Sequence, residues 1–397
     1  MPKSLLRIAS KCSNYRSERL PLSIKTPVWL NWLPALLCVF CSLTFSERAH
    51  SQSLNTLFGD AIKAQTVVGA QILEGSCNQA EAKSINLGFT APDRRKPVTQ
   101  DTMFCIASCS KPLISCVVFR LVQTQQLNLD TPIDRWLPAF TKPHLQDATL
   151  TQPPTLKQLL AHRAGIYSQK EHPTAEQLRA IRDFRLTLSQ SVNLITRQPL
   201  QSHPGTRYAY SGAGYCLIGA IAENATQQPI DEVLNAYLCK PLGMSSTTFF
   251  PHRRTGKVVA TGGSSRTQAP HLLRDQLQFP LVGGSIHTTA HDLQRFARMV
   301  GKRGIFNNNV ILDRATWSQY ISQPYHTQRY GYGWTRTQQG DAIVLSHNGS
   351  LPPAQAALQI NLRSREYKIA IWTLADPSNS KATSDLRTQI RQALNGG

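Results

Sequence analysis

"FCIASCSKPLIS", Phe104 to Ser115, sets a serine three residues before a lysine, between an apolar strand-like run and an apolar helix-like run. If a helix begins here, Ser108 and Lys111 share one face about a turn apart. A helix start turns free N–H groups and the positive end of its dipole toward whatever the serine carries, which suits an oxyanion. Pro112 is tolerated in a first helical turn. A hydroxyl is a weak nucleophile until a base takes its proton, and a lysine held neutral, below its ordinary pKa of about 10.4, is such a base. Ser108 and Lys111 thus form a workable nucleophile and base pair. The spacing alone is weak evidence, because Ser378 and Lys381 in "PSNSK" repeat it in a polar loop. What separates Ser108 is its context.

Working outward, "TVVGAQIL" (Thr66 to Leu73) and "SINLGF" (Ser84 to Phe89) read as the strands of a hairpin, preceded by a helix around Ser53 to Ala64. From Thr131 the chain turns helical and loop-rich. "TLKQLLAHRAG" reads as a short helix with Thr155 and Gln158 as a capping box and Gly165 as its C-terminal stop. "SGAGYCLIGAIAENAT" is a small-residue helix, and "TTAHDLQRFARMV" repeats the cap with Thr289 and Asp292. "AIVLSH", "QAALQINL" and "KIAIWTLA" are three strands in a row with short loops, which implies antiparallel pairing, and a helix over about Ser384 to Leu394 closes the chain. The economical fold is α/β of the α+β type. One antiparallel sheet forms from both termini and is flanked by helices, with a mostly helical lobe over about 126–284 inserted in it. A cleft between the two is the natural place for a site.

The 397 residues are 41% hydrophobic and 17% charged, a globular composition without low-complexity tracts. The first 51 read differently. Lys3, Arg7, Lys11, Arg16, Arg19 and Lys25 precede the apolar run "VWLNWLPALLCVFCSLTF", and Ala49 and Ser51 supply small residues at its end. This is the pattern of an export signal, with an uncleaved membrane anchor as the alternative. Residues 52–397 are then an exported domain of the periplasm or cell envelope, touching a membrane only if the leader is kept. The formal charge of +20 could favour polyanions such as cell-wall polymers, but the basic residues are scattered and match no nucleic-acid motif. Cysteine spacing gives no zinc pattern. On one helix Cys109 and Cys116 would lie about 10 Å apart, too far for a disulfide.

"DTMFCIASCSKPLIS", "TLKQLLAHRAGIY", "PGTRYAYSGAGYCLIGAIAE", "PLGMSSTTF", "GGSIHTTAHDLQRFARM", "YGYGW" and "LSHNGS" follow the order typical of serine beta-lactamase-like hydrolases. The chain resembles that family, which takes in class C beta-lactamases, D-alanyl-D-alanine carboxypeptidases and related esterases, over about Thr56 to Ala375. The resemblance implies that Ser108 is the acylated nucleophile and Lys111 its proton partner. The second motif, Tyr-x-Asn, is matched by Tyr210, Ser211 and Gly212, making Tyr210 a general base or acid whose phenol a neighbouring ammonium would acidify. The third, Lys-Thr-Gly, is matched by His347, Asn348 and Gly349. His347 would give a polar edge and Gly349 room for substrate, while the N–H of Ser350 joins that of Ser108 as an oxyanion hole. "RTG" at Arg254 to Gly256 mimics this motif but lies outside the terminal strands.

Two departures matter. Gly212 replaces the asparagine whose amide would hold a substrate amide, and His347 replaces a lysine that would hold a substrate carboxylate. Both turn the expectation toward acyl-ester hydrolysis, with no metal or cofactor, on a small-molecule or peptide acyl substrate. The competing expectation is a non-catalytic binder of anionic wall polymer on the same fold.

Overall fold

The computed structural model describes residues 53–263 and 276–395. The leader lies outside them. Everything described falls within one unit, Ser51–Gly397. Helix α1 (Leu54–Lys63) opens it, started by Ser53, whose Oγ accepts the Thr56 N–H at 3.3 Å. Strands β1 (Val67–Ser76) and β2 (Ala82–Gly88) form the expected hairpin. A two-residue strand β3 (Phe104–Cys105) leads through a 3-10 turn, Ala107–Cys109, into helix α2 (Ser110–Gln123).

The middle of the chain carries α3 (Leu156–Leu160), α4 (Ala175–Arg182), α5 (Leu188–Thr196), α6 (Gly212–Thr226), α7 (Ile230–Leu234) and α8 (Lys240–Leu242). The capping box forms at α3, where Thr155 and Gln158 bond reciprocally. Gly165 does not stop that helix, which ends at Ala161 ahead of a left-handed His162. At Gly165 the left-handed backbone answers a different need, because a side chain there would meet the Ser202 carbonyl at 2.2 Å. After β4 (His287–Thr288) comes α9 (Ala290–Gly301), with Thr289 as its N-cap. The short pair β5 (Ile305–Phe306) and β6 (Asn309–Val310) and helix α10 (Arg314–Tyr320) lead to β7 (Thr335–Gln339), β8 (Ala342–Leu351), β9 (Ala354–Asn361) and β10 (Glu366–Leu374). Helix α11 (Ser380–Asn395) closes the chain.

The main sheet has the order β2-β1-β10-β9-β8-β7, antiparallel throughout. Both termini therefore build it, and the seam is β1 against β10, with Ile72 opposite Ala370. One face is covered by α1 and α11 through Phe58, Trp372, Leu386 and Ile390, Phe58 meeting Trp372 edge-on at 5.2 Å. The larger core holds α2, which is buried along almost its whole length from Ser110 to Leu121, together with the apolar sides of α6 and α9. A helix that is apolar nearly all round belongs at the centre of a domain, and α2 is there with Ser108 at its N-terminal end. Strand β7, "TRTQQ", was not expected: it lies at the sheet edge and lacks apolar alternation.

Candidate active site

The turn carrying Ser108 is strained and tightly held. Ala107 has φ +46°, a left-handed backbone that costs a residue with a Cβ about 1–2 kcal/mol. The surroundings offset this. The Ile106 N–H donates to Ile286 O at 2.9 Å, Ser110 Oγ donates to Ala107 O at 2.7 Å, and the Ile286 N–H donates to Ser110 Oγ at 3.2 Å. The Cys109 thiol donates to His347 O at 3.2 Å, tying the turn to β8. Strain kept by such over-determination holds Ser108 half-exposed at the surface of a cleft of about 550 Å³.

Lys111 is 2% exposed. Its Nζ lies 3.4 Å from Ser108 Oγ and donates to Gly283 O at 2.7 Å, while the rings of Tyr210 and Tyr215 sit 4.7 and 5.1 Å away. Among the described residues no carboxylate lines the cleft. Burial without a counterion disfavours the ammonium, and the Lys111 pKa is lowered to about 7, with the Lys170 and Arg182 charges adding to the effect. A substantial share of the lysine is thus a free amine near neutral pH, next to the hydroxyl it would deprotonate. The pair Ser378 and Lys381 is the internal contrast: both are exposed, and Ser378 Oγ donates to Asp376 instead.

Tyr210 lines the same cleft and hydrogen-bonds Ser108. Its phenol is not made more acidic. Burial pushes it above its ordinary value, and the bond to Ser108 only partly opposes this. Tyr210 therefore stays protonated near neutral pH. It belongs to an aromatic cluster in which the His162 ring lies 4.4 Å from Tyr210 and 4.8 Å from Tyr330.

The third-motif residues divide. His347 is 5% exposed and is not among the residues lining the cleft. Its Nδ1 donates to Asn348 O at 2.9 Å, leaving Nε2 to accept from the Tyr330 hydroxyl at 3.2 Å. Burial, reinforced by Lys111, lowers its pKa to about 3, so it carries no charge at neutral pH. Gly349 and Ser350 do line the cleft. The space a Gly349 side chain would take is filled by the protein itself, since a Cβ would lie 2.2 Å from Ile106 O and 3.1 Å from Ala107 Cβ. This glycine lets β8 lie directly against the turn of Ser108. Ser350 Oγ accepts from Arg387 at 2.6 Å.

Gly212 also faces the cleft, and there the missing asparagine has a neighbour that sequence reasoning passed over. Gln169 Oε1 accepts the Gly212 N–H at 2.8 Å. Ser168 Oγ donates to Tyr210 O at 2.8 Å and accepts the Lys170 N–H at 3.2 Å, so the turn Ser168–Lys170 is stitched onto Tyr210–Gly212. The cleft also takes in Lys170, Arg182, Gly283, Arg387 and Arg391. None has a local signature, although "YSQK" directly after "HRAG" marks a polar turn next to a matched block. All six described cysteines are buried and unbridged. Among the described residues no cluster of metal-ligating side chains occurs.

The Beta-lactamase family model matches residues 54–394. The chain belongs to the Beta-lactamase family. Within it, Esterase EstB of Burkholderia gladioli is 30% identical over 243 residues, 58% of this chain and 59% of EstB, so the match spans about three fifths of that relative. Among solved structures, EstCE1, described as a hydrolase with promiscuous acyltransferase activity, aligns with TM-score 0.71 and 22% identity over 86% of this chain and 97% of its own. The penicillin binding protein from Bacillus halodurans aligns with TM-score 0.67 and 20% identity over 84% and 99%. These two likenesses concern the fold, and they fit the sheet built from both termini.

Proposed function

We propose that this protein is a serine hydrolase that cleaves an ester or amide carbonyl through an acyl-enzyme on Ser108. The observation that supports it most is a buried amine with no counterion among the described residues, 3.4 Å from a half-exposed serine at the end of the central helix. As Ser108 Oγ attacks, neutral Lys111 takes its proton. The carbonyl oxygen becomes an oxyanion, received between the backbone N–H groups of Ser108 and Ser350. The proton then passes to the leaving group by way of Lys111 and the protonated Tyr210, and an ester is left on Ser108. Water enters next, gives a proton to the same amine and attacks the ester carbonyl, and the amine returns that proton to Ser108 Oγ as the acid leaves.

Esters are the favoured substrates. Gly212 leaves only the neighbouring Gln169 carboxamide, its Oε1 already taken by the Gly212 N–H, for a substrate amide, and the uncharged His347 offers no cation to a beta-lactam carboxylate. The similarity to Esterase EstB points the same way. The basic, apolar leader supports export to the cell envelope, and fractionation of a host expressing the full chain tests that part.

The decisive experiment is intact-mass spectrometry after exposure to an activated acyl ester and, separately, to a penicillin, with Ser108→Ala alongside. The reading expects acyl adduct or turnover with the ester in the wild type only. Ester hydrolysis unchanged in Ser108→Ala would refute it.

A further inference from the structure

His162, in the block "TLKQLLAHRAGIY", is buried and does not line the cleft, yet it holds Tyr210 from several directions at once. Helix α3 ends at Ala161, and His162 takes φ +58°, a left-handed backbone that a residue with a side chain keeps only where its surroundings over-determine it. Here the surroundings are the segment carrying Tyr210. The His162 carbonyl accepts the Ala209 N–H at 2.9 Å, and Nδ1 of the same residue accepts the Ser211 N–H at 3.1 Å. One residue thus bonds both chain neighbours of Tyr210. Its ring also packs on the Tyr210 ring, with 4.4 Å between centres and 45° between planes. The other aromatic neighbours of Tyr210 stand farther off, Tyr330 at 6.0 Å and His347 at 6.4 Å.

An Nδ1 that accepts a hydrogen bond cannot carry the proton, so the neutral ring bears it on Nε2. That buried N–H has no acceptor among the described residues. Burial, reinforced by Lys111, holds the His162 pKa well below the ordinary histidine value, and the ring stays neutral near pH 7. A phenylalanine would fill the same place among the tyrosines without burying an unpaired donor, which is costly to a fold. What phenylalanine lacks is the acceptor for Ser211. Ser211 in turn is fixed at the start of α6, where its Oγ accepts the Gly214 N–H at 3.0 Å and donates to Tyr167 O at 2.8 Å. Nδ1 therefore ties the chain next to Tyr210 to a point that cannot drift, and the imidazole face supplies the surface on which the phenol ring rests.

We infer that His162 is the positioning residue of Tyr210, its carbonyl and Nδ1 gripping the chain on either side and its ring setting the direction in which the phenol meets Ser108. The inference rests on the acyl-enzyme reading given above, in which Tyr210 helps pass the proton to the leaving group. His162 acts on the rate wholly through Tyr210, and this separates it from a residue that only supports the fold. Lost packing lowers stability whatever stands at position 210, whereas a misdirected phenol matters only while a phenol is there. A tilted proton-transfer group slows the chemical step and leaves ground-state binding of the substrate intact, so the loss falls on kcat and spares KM.

The test is a double-mutant cycle on ethyl butyrate, or on the para-nitrophenyl ester where the alkyl ester is too slow. His162→Phe, which keeps a ring and removes the acceptor, should lower kcat by roughly 10²-fold with KM changed by no more than about twofold. His162→Asn, which offers a carboxamide oxygen close to where Nδ1 stood and tolerates a left-handed backbone, should recover most of that loss. In the Tyr210→Phe background, His162→Phe should cost no more than about twofold further. A kcat unmoved in His162→Phe, no recovery in His162→Asn, or a full second loss in the double variant overturns the inference. The wild type gives a check that depends on no variant's folding: nitrogen NMR should find the imidazole of His162 protonated on Nε2 alone, and a proton on Nδ1 overturns the inference equally. If the wild type turns over neither ester, the Tyr210 ring resonances decide, identified by their loss in Tyr210→Phe. Displacement of those resonances in His162→Phe with return in His162→Asn keeps the positioning role while the acyl-enzyme reading fails. Resonances that stay in place in both variants remove the role whatever Ser108 does.

Discussion

Replacing Lys111 with methionine should disable the enzyme and, at neutral pH, stabilise it. The side chain is 2% exposed, has no carboxylate beside it among the described residues and has a pKa lowered from 10.5 to about 7. Each tenfold change in proton affinity is worth about 1.4 kcal/mol, so burying this amine costs the fold roughly 4 kcal/mol at pH 7. Between pH about 7 and 10.5 the unfolded chain holds a proton on Lys111 that the folded chain has released. Stability contributed at this site therefore rises with pH across that window. Methionine fills a similar volume without a charge, but leaves the Gly283 carbonyl without its 2.7 Å donor, an omission costing about 1–3 kcal/mol. Lys111→Met should thus be more stable than wild type by about 1–3 kcal/mol at pH 7, and less stable by a similar amount near pH 10.5. The swing of roughly 4 kcal/mol is the robust quantity, because every other titrating group is common to both proteins. Urea unfolding of the two across this pH range measures it. A difference that stays flat with pH would show that Lys111 keeps its proton in the folded state, and would sink its assignment as the base. Activity on an activated ester should fall by roughly 10²–10⁴-fold in the same variant.

Three further outcomes follow from the same geometry. Ester kcat/KM should rise with pH through a single ionisation near 7 as Lys111 loses its proton, and Lys170→Gln should move that midpoint upward, since the Lys170 charge helps hold it down. Tyr210→Phe should lower kcat by roughly 10²-fold or more, with far-UV circular dichroism unchanged, because it removes the protonated donor on Ser108 and little packing. Gly349→Ala should lose about 1–3 kcal/mol of stability and most of the activity: its Cβ would sit 2.2 Å from Ile106 O, and β8 or the Ser108 turn must shift to admit it. Thermal unfolding and ester turnover on the one variant check both halves.

The parts of this protein that could be read from its sequence are those in which the deciding interactions are local. The hairpin β1–β2, strands β8 to β10 and the caps at Thr155 and Thr289 declare themselves within a dozen residues, through alternation or a serine or threonine placed before a helix. Ser108 and Lys111 are legible for the same reason. Strand β7 is not, because its partner β8 makes it a strand and nothing in "TRTQQ" does. The acidity of Tyr210 was expected with the wrong sign because the short-range effect, a nearby cation, is visible in the chain, whereas burial sums over the whole fold.

The same distinction governs the charge of the cleft. Position by position, the motif comparison registers a lysine lost at His347, and the structure agrees that this residue is neutral and turned toward Tyr330. What the comparison cannot register is that Ser168 and Gln169 fold back 42 and 43 residues to meet Tyr210 and Gly212, bringing Lys170 over the tyrosine ring. A substrate meets the summed field of the cleft walls, whichever element each charge comes from. With Lys170 and Arg182 in place and no carboxylate among the described lining residues, the loss of one motif cation does not leave a cleft indifferent to anions. Selectivity for a carboxylate is therefore a property to be measured across this cleft, and a motif letter at position 347 is a poor guide to it.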